Sequence, residues 1–329
     1  MITPNGNLRE RVGGHIAGVV AAVPREVVSN AALPPGADEA AKLTGVRARR
    51  HARADQTTET LCLAAAQWLL RQLDWSTGSI DALVYVTQTP ATSVPASAYG
   101  IHAALGLPAH CPAIEVNWSC AGYVYGLWLA TKLAQGGGLK ARRVLLLVGD
   151  TSSRIVDPED RATGPLFGDA GSATAVQGGP AAGHMDFVLG SDGHGSEKLS
   201  QRRGGYLSMD GAAVFSFTLR AVPGLVDDVL ALANARPDFL LFHQANRFML
   251  DHLAKKMKLA EGFGPGAIPS NIERFGNCSC ASIPLLLCEQ LGMRARGARL
   301  ALFGFGAGWA WAGMAADMGA LDVVDLIEC

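Results

Sequence analysis

The residue best suited to do chemistry in this sequence is Cys120. A short, mostly apolar run at residues 114–116 leads to it, and the residues from Gly122 onward predict a long helix that is apolar on nearly every face. Cys120 would then lie at a strand-to-helix turn, where the unpaired N–H groups and the dipole of the helix N-terminus lower the pKa of a thiol. A nucleophilic thiol is the functional interpretation, and a buried structural cysteine is the alternative.

Two polar residues and a glycine-rich stretch occupy comparable places further along the chain. His243 follows an apolar strand predicted at residues 239–242, and open α/β sheets usually carry their chemistry at the carboxyl ends of strands. Asn277 falls in a tight turn ahead of a predicted helix, and residues 304–308 predict a Gly-rich hairpin. A core histidine, a capping asparagine and a plain turn are the structural alternatives. Together these positions predict one active site.

The elements that position these residues alternate between strands and helices. Strands are predicted at residues 15–24, 80–90, 114–119, 144–150, 170–176, 187–192, 239–242, 299–305 and 309–318. Helices are predicted at residues 38–43, 57–73, 95–105, 214–234 with a kink at Pro223, 246–258 and 282–291. The apolar run at 144–150 is typical of a parallel strand covered on both faces. The pattern predicts two α/β halves, residues 1–180 and 181–329, joined by a linker at 178–183 and without a close internal sequence repeat.

Composition and charge exclude several classes of protein. The chain of 329 residues is 49% hydrophobic and 17% charged with a net charge of −1, so we expect a large core, an oligomer, and no general attraction to nucleic acid or membranes. No apolar run reaches the roughly 18–20 residues of a membrane span, and residues 1–11 lack the apolar core of a signal peptide; a cytoplasmic location is expected. No C-x-x-C pair is present, so neither disulfides nor a metal site is expected, even at Cys278 and Cys280.

These windows, taken together, resemble the β-ketoacyl-acyl-carrier-protein synthase III family of the thiolase-fold condensing enzymes. Besides the surroundings of Cys120, the matching stretches are residues 157–161, 166–169, 209–215, 243–246, 276–277 and 304–308. The resemblance covers nearly the whole chain. It implies a five-layered αβαβα fold of two duplicated α/β halves, a homodimer, and a catalytic triad that falls here on Cys120, His243 and Asn277.

The resemblance also implies a reaction in two stages. An acyl group passes from a thioester to Cys120, with the oxyanion held by the backbone N–H groups of Cys120 and Ala307, where Gly306 permits close approach. A malonyl-type thioester then loses CO₂, and its enolate, held by His243 and Asn277, attacks the acyl group to give a β-ketoacyl product. The substrates would be acyl carrier protein or coenzyme A thioesters in fatty-acid or polyketide biosynthesis. No metal and no other cofactor are expected.

Several residues outside the triad are expected to contact the substrate. Val94 stands where a bulkier phenylalanine often reaches into the partner's acyl pocket, which predicts a longer or branched acyl group. Gly211 and Phe215 belong to a matching stretch and are candidates for substrate binding, as is Gly306. The segment between Asn30 and Thr44 is short and lacks the tryptophan that stacks on the adenine of coenzyme A in better-known members, which favours a carrier protein as the donor.

Basic residues supply the candidate docking surface for an acidic carrier. Arg247, Lys255, Lys256 and Lys258 follow His243 on a predicted helix, and a solvated helix face is the alternative. The basic stretch at 44–53 is either a phosphate-binding edge or a solvated loop.

Three other functions were weighed for the same residues. A degradative thiolase would need a second cysteine in the Gly-rich hairpin, and residues 304–308 contain none. An acyltransferase that passes the acyl group to an alcohol or amine would keep Cys120 and His243. An inactive partner subunit of a heterodimer would lose a triad residue. The last two stay alternatives to the decarboxylating enzyme.

Overall fold

Two mixed β-sheets with helices between and outside them form the protein. The computed structural model describes residues 1–32, 42, 44–135, 142–179, 183–233 and 235–329. Apart from Lys42, the helix predicted at 38–43 lies outside these residues, as does the centre of the predicted linker at 178–183. None of the helices in the described ranges is long and apolar enough to cross a bilayer.

The strands and helices are numbered in chain order. The strands are β1 (Leu8–Gly13), β2 (His15–Val23), β3 (Val27–Ser29), β4 (Ala48–Arg50), β5 (Ala82–Val86), β6 (Ala113–Val116), β7 (Arg143–Thr151), β8 (Asp169–Gln177), β9 (His184–Ser191), β10 (Leu199–Gln201), β11 (Leu207–Met209), β12 (Phe239–Phe242), β13 (Arg299–Gly306), β14 (Ala310–Asp317) and β15 (Val323–Glu328). The helices are α1 (Thr58–Gln72), α2 (Ser97–Leu105), α3 (Gly122–Ala134), α4 (Gly211–Leu232), α5 (Arg247–Lys256), α6 (Leu259–Gly262), α7 (Ile272–Phe275) and α8 (Ser282–Leu286), the last continued by a π-helical turn.

The two large sheets share one strand order, which is the structural sign of two duplicated halves. One sheet runs β15-β2-β8-β7-β5-β6 and the other β1-β9-β14-β13-β12. The order β2-β8-β7 in the first sheet corresponds to β9-β14-β13 in the second, because in each half the first strand lies beside the last strand and the last beside the one before it. The terminal strands β1 and β15 each pair in the sheet of the other half. The division of the chain into halves at residue 180 stays a prediction.

The expectation that β7 is a parallel strand is only half right. β7 pairs in parallel with β5, where Val84 faces Leu146, but it pairs antiparallel with β8, where Val148 faces Ser172. The continuous apolar pattern nevertheless has the expected cause, because residues 144–151 are all buried between helices on both faces.

Three packed cores give the layers αβαβα. The central core joins the facing sides of both sheets to α3 and α8. A second core packs α1 and α2 on the outside of the first sheet, and a third packs α4 and α5 on the outside of the second. The central layer is tight: a Cβ on Gly126 of α3 would lie 2.9 Å from Leu146 Cδ1.

Several elements differ from the sequence-based expectation. The helix predicted from 214 begins earlier, at Gly211, because Asp210 caps it by accepting from the backbone N–H of Ala213 at 3.0 Å. It continues through Pro223 to Leu232. The sequence does not predict strands β1 and β15, whose partners β9 and β2 lie far along the chain, or the short strands of the pairs β3–β4 and β10–β11.

Candidate active site

Cys120 lies where the sequence predicts it, between a strand and a helix. β6 ends at Val116, a 3₁₀ turn spans Ser119–Ala121, and α3 begins at Gly122. The turn is unusual because Ser119 has a φ of 47°, a left-handed conformation that non-glycine residues rarely adopt. The Asn117 side chain supports it, since Asn117 Oδ1 accepts a hydrogen bond from Ser119 N at 3.1 Å. This bend aims the thiol toward the second half of the protein.

The Gly-rich hairpin closes over Cys120. β13 ends at Gly306 and β14 starts at Ala310, so Ala307 lies in the turn between them. A Cβ on Gly306 would lie 2.6 Å from Cys120 Cβ and 3.2 Å from its Sγ, closer than real atoms pack. Only glycine therefore fits at residue 306, and the hairpin backbone packs directly against Cys120.

The Cys120 thiol is not the low-pKa group that its helix-end position predicts. Burial raises the pKa of the Cys120 thiol to about 11, and contacts with the hydroxyl groups of Ser279 and Ser119 lower it only in part. Those hydroxyl oxygens lie 3.7 Å and 3.8 Å from Sγ. Desolvation of the anion outweighs the helix N-terminus because the side chain is only 5% exposed. The Cys120 thiol therefore keeps its proton at neutral pH.

His243 is held as a neutral imidazole at the end of β12. Its backbone N–H donates to Phe303 O at 2.8 Å, and its Nδ1 shares a 2.7 Å hydrogen bond with Ser282 Oγ. Gln244 N also donates to that oxygen, at 3.4 Å. When the Ser282 hydroxyl donates to Nδ1, the neutral ring carries its proton on Nε2. Burial lowers the pKa of His243 to about 3. The ring can thus donate a hydrogen bond without carrying charge.

Asn277 follows α7 in a turn fixed by Gly276. Gly276 has a φ of 66°, and a Cβ there would lie 2.5 Å from Leu166 O. The Asn277 side chain is oriented at both ends: Oδ1 accepts from Ser279 N at 2.9 Å, and Nδ2 donates to Ala245 O at 3.3 Å. One amide hydrogen of Nδ2 remains for a ligand.

The triad lines one cavity of about 500 Å³. The residues that share its wall come from both halves and are mostly apolar, with a few polar groups near the thiol. They include Gln88, Trp118, Ser119, Cys120, Phe167, Leu199, Leu207, Met209, Val214, Thr218, His243, Met249, Asn277, Phe305, Gly306 and Ala307. An apolar wall around a nucleophile and two neutral donors suits an uncharged acyl chain.

The remaining candidate pocket residues lie outside this wall. Val94 is 86% exposed on a loop, so within this chain it touches no substrate. Gly211 begins α4, and Phe215 packs against the Phe248 ring, with 5.4 Å between ring centroids. Val214 and Thr218, on the neighbouring face of α4, line the cavity instead. Substrate contacts for Val94, Gly211 and Phe215 stay predictions.

The candidate docking surface is exposed. Arg247 begins α5, packs on Gly45 and borders a surface recess of about 670 Å³ that Arg47 and Lys42 also line. Lys255 and Lys258 are exposed, whereas the ammonium group of Lys256 donates to Leu219 O at 2.7 Å. A carrier-binding role stays a prediction.

The basic stretch at 44–53 is used mainly for structure. Arg49 is 3% exposed, and it donates to Asn30 Oδ1 at 3.0 Å and to Gly164 O at 2.6 Å. Its arginine neighbours form ion pairs: Arg47 with Glu273, Arg50 with Glu328 and Arg53 with Asp55. Residues 48–50 therefore form a strand and not a solvated loop, and phosphate binding by the stretch stays a prediction because the Arg47 side chain is 83% exposed.

A short repeat that links the two halves went unrecognised in the sequence. Residues 117–122 read Asn-Trp-Ser-Cys-Ala-Gly, and residues 277–282 read Asn-Cys-Ser-Cys-Ala-Ser. Both form a 3₁₀ turn ahead of a helix, and Ser279 has a φ of 48°, as Ser119 has 47°. Cys120 and Cys280 are thus equivalent positions. The sequence signal for this repeat is the shared pattern Asn-x-Ser-Cys-Ala in the two six-residue segments.

Comparison with known proteins gives one consistent result. A family model described as 3-oxoacyl-[acyl-carrier-protein (ACP)] synthase III matches residues 114–193, and its C-terminal counterpart matches residues 230–318. A β-ketoacyl-[acyl-carrier-protein] synthase III of Rhodopirellula baltica is 35% identical over 93% of this chain and 98% of its own length.

Solved structures agree. A 3-oxoacyl-(acyl-carrier protein) synthase from Burkholderia xenovorans LB400 superposes with a TM-score of 0.92 at 42% identity, covering 98% of this chain and 99% of that one. The priming β-ketosynthase of the R1128 polyketide pathway gives a TM-score of 0.81 at 27% identity, covering 94% and 98%. The predicted αβαβα thiolase-type fold is confirmed.

Proposed function

Because this chain belongs to the 3-oxoacyl-[acyl-carrier-protein] synthase III family of condensing acyltransferases, we propose that Cys120 accepts an acyl group and passes it to a malonyl-type thioester. The observation that carries this proposal is the meeting of Cys120, His243 and Asn277 in one cavity, under the hairpin of Gly306. A thiol nucleophile beside two neutral hydrogen-bond donors matches both stages of a decarboxylating condensation.

In the first stage, Cys120 Sγ attacks the carbonyl carbon of an acyl thioester. The new carbon–sulfur bond forms as the bond to the donor's sulfur breaks, and the thiol proton of Cys120 leaves with the departing thiol. The backbone N–H groups of Cys120 and Ala307 hold the transient oxyanion, and each such donor is worth about 2.7–4 kcal/mol. Because the resting thiol is protonated, its proton is lost only as the thioester arrives.

In the second stage, a malonyl-type thioester loses CO₂ and leaves an enolate. His243 Nε2–H and Asn277 Nδ2–H hold the enolate oxygen, and a neutral imidazole suits this task because it donates without becoming a strong acid. The enolate carbon attacks the acyl carbon on Cys120, a carbon–carbon bond forms, and the Cys120 thiolate leaves and takes up a proton. Only the two thioesters are consumed, so no metal or other cofactor is needed.

An acyl carrier protein is the proposed partner, with coenzyme A thioesters as the alternative acyl donor. Arg247, Lys255 and Lys258 support this choice, since their exposed positive charges would attract an acidic carrier. Initiation of fatty-acid or polyketide chains in the cytoplasm is the corresponding cellular role.

A homodimer is the proposed assembly. β6 is an edge strand of the six-stranded sheet and has a neighbour, β5, on one side only within the described residues. Val94, in the segment between β5 and α2, exposes 86% of an apolar side chain. Burial of both by a second copy would remove an unpaired edge and an exposed apolar group. Light scattering on the purified protein tests this: a monomer at micromolar concentration would contradict the assembly.

Intact-protein mass spectrometry tests the function. Wild-type protein and Cys120→Ala are incubated with acyl-CoA and acyl-carrier thioesters, and malonyl-carrier is then added. We expect an acyl adduct on the wild type alone, discharged by malonyl-carrier with release of CO₂. Discharge by an alcohol or amine only would make it a non-decarboxylating acyltransferase. Failure of every donor would favour an inactive partner subunit.

A further inference from the structure

Asp150 is a buried acid for which the two-stage reaction has no direct use. It lies near the end of β7 with no exposed surface, and no ion pair of Asp150 occurs among the described residues. A buried carboxyl group without a cation costs stability unless hydrogen bonds satisfy it. Its hydrogen bonds show what it holds.

One oxygen of Asp150 organises the loop after β5. Asp150 Oδ1 accepts from the Thr87 hydroxyl at 3.0 Å, from the Gln88 backbone N–H at 2.8 Å and from the Thr89 hydroxyl at 3.1 Å. These bonds fix Gln88, whose Oε1 accepts from Ser119 Oγ at 3.0 Å. Through Gln88, Asp150 thereby supports Ser119, the residue immediately before Cys120. Ser119 has a left-handed backbone conformation, which needs such support.

The other oxygen reaches the residue on the far side of Cys120. Cys280 Sγ donates to Asp150 Oδ2 at 3.0 Å. Cys280 in turn packs on the start of α3, where a Cβ on Gly122 would lie 3.2 Å from Cys280 Cβ. Burial and the neighbouring Asp150 raise the pKa of Cys280, so its thiol keeps the proton that it donates.

We propose that Asp150 is a positioning residue for Cys120, which it clamps from both sides through Gln88–Ser119 and through Cys280–Gly122. Asp150 binds one turn of the internal repeat directly, through Cys280, and the other through Gln88 and Ser119, and so joins the two halves of the protein. Asp150 touches no substrate. It acts by keeping Cys120 Sγ aligned with the thioester carbonyl, and small errors in that alignment reduce the rate steeply.

Asp150→Asn is the discriminating variant because it is isosteric. The amide can still accept from the loop after β5, but an Nδ2 group facing Cys280 cannot accept its hydrogen bond. The matched control is Asp228→Asn. Asp228 is also buried, lies on helix α4 away from the cavity wall, and accepts hydrogen bonds from Thr3, Asn5 and Asn7. Both variants lose one buried acceptor, so general destabilisation affects both.

The proposal rests on the proposed function, and acylation of Cys120 is its main readout. For Asp150→Asn, we expect the acylation rate constant at saturating donor to fall about tenfold while the half-saturating donor concentration stays within twofold. Asp228→Asn should change neither. Cys280→Ala should cause a smaller loss, and the double variant Asp150→Asn/Cys280→Ala should be no slower than Asp150→Asn, since both act on one contact.

Three results would overturn the proposal. They are wild-type acylation by Asp150→Asn, an equal loss in Asp228→Asn, and a higher half-saturating concentration at an unchanged maximal rate. If no donor acylates the wild type, the proposed function fails and iodoacetamide decides the positioning role alone. A threefold change in the alkylation rate of Cys120 in Asp150→Asn, absent from Asp228→Asn, would support it, and an unchanged rate would reject it.

Discussion

The backbone of Gly306 lies against Cys120 so closely that a methyl group at residue 306 would overlap the nucleophile, 2.6 Å from its Cβ. Gly306 ends a strand of the second half, and Cys120 lies in the 3₁₀ turn that precedes a helix of the first. The contact therefore fixes the distance between the thiol and the hairpin that carries Ala307. The proposed oxyanion hole depends on this approach.

Gly306→Ala should abolish acylation while the protein stays folded. The added methyl group must push the hairpin or Cys120 aside, and the oxyanion donors then miss the developing charge; loss of one such donor costs about 10²–10³ in rate. Adduct formation by mass spectrometry and thermal unfolding measure the two effects. Gly264→Ala is the control, because a Cβ there meets nothing within 4 Å. Acylation of Gly306→Ala at the wild-type rate would contradict this account.

His243→Ala should separate the two stages. The variant keeps Cys120 and the hairpin, so we expect acylation to proceed, whereas release of CO₂ from the malonyl thioester should fall about 10²–10³-fold with the loss of one enolate donor. Labelled CO₂ and the acyl adduct are measured in parallel. His194→Ala serves as the control, since that ring is 98% exposed. Equal loss of both stages would mean that His243 serves as a base for Cys120.

His243 should also make stability depend on pH. Its pKa is about 3 in the folded protein and 6.5 when exposed, so the unfolded chain binds the additional proton between these values. The free energy of unfolding is therefore highest above pH 6.5 as far as His243 is concerned. It falls by about 1.4 kcal/mol per pH unit as the pH decreases toward 3. Urea unfolding of wild type and His243→Gln between pH 7 and 5 measures the difference. Parallel pH profiles would show that His243 is not buried as a neutral ring.

Alkylation of Cys120 should accelerate with pH far above neutrality. Iodoacetamide reacts with the thiolate, and burial raises the pKa of Cys120 to about 11, so the rate should rise about tenfold per pH unit from pH 7 to 10. Mass spectrometry of the Cys120 adduct follows the reaction, with Cys120→Ala as the background for the other cysteines. A plateau below pH 8 would mean that the helix N-terminus prevails over desolvation.

Arg247→Glu should weaken use of a carrier protein without affecting the chemistry. We expect the half-saturating concentration of acyl-carrier to rise about tenfold at low salt and the difference to shrink as salt increases. A short thioester without a carrier should react as with wild type. Arg71→Glu, on the outer helix α1, controls for the change in net charge. Unchanged carrier use in Arg247→Glu would remove α5 from the docking surface.

Local sequence signals identified the central residues because each triad member has a local cause. Cys120 follows an apolar strand and precedes an apolar helix, His243 ends a strand of four apolar residues, and Asn277 follows a glycine that needs a positive φ. The alternation of strands and helices likewise predicted the two α/β halves. These patterns depend on neighbours a few residues apart, which the sequence displays directly.

The sequence by itself thus predicted the three candidate catalytic residues, the Gly-rich hairpin and the type of fold. Only the tertiary structure decided the protonation states and the support of the site. The pKa of Cys120 rises instead of falling because the second half buries it, and the contact of Asp150 with Cys280 joins residues 130 positions apart. Desolvation and such contacts depend on which distant segments pack together, and no local pattern records that.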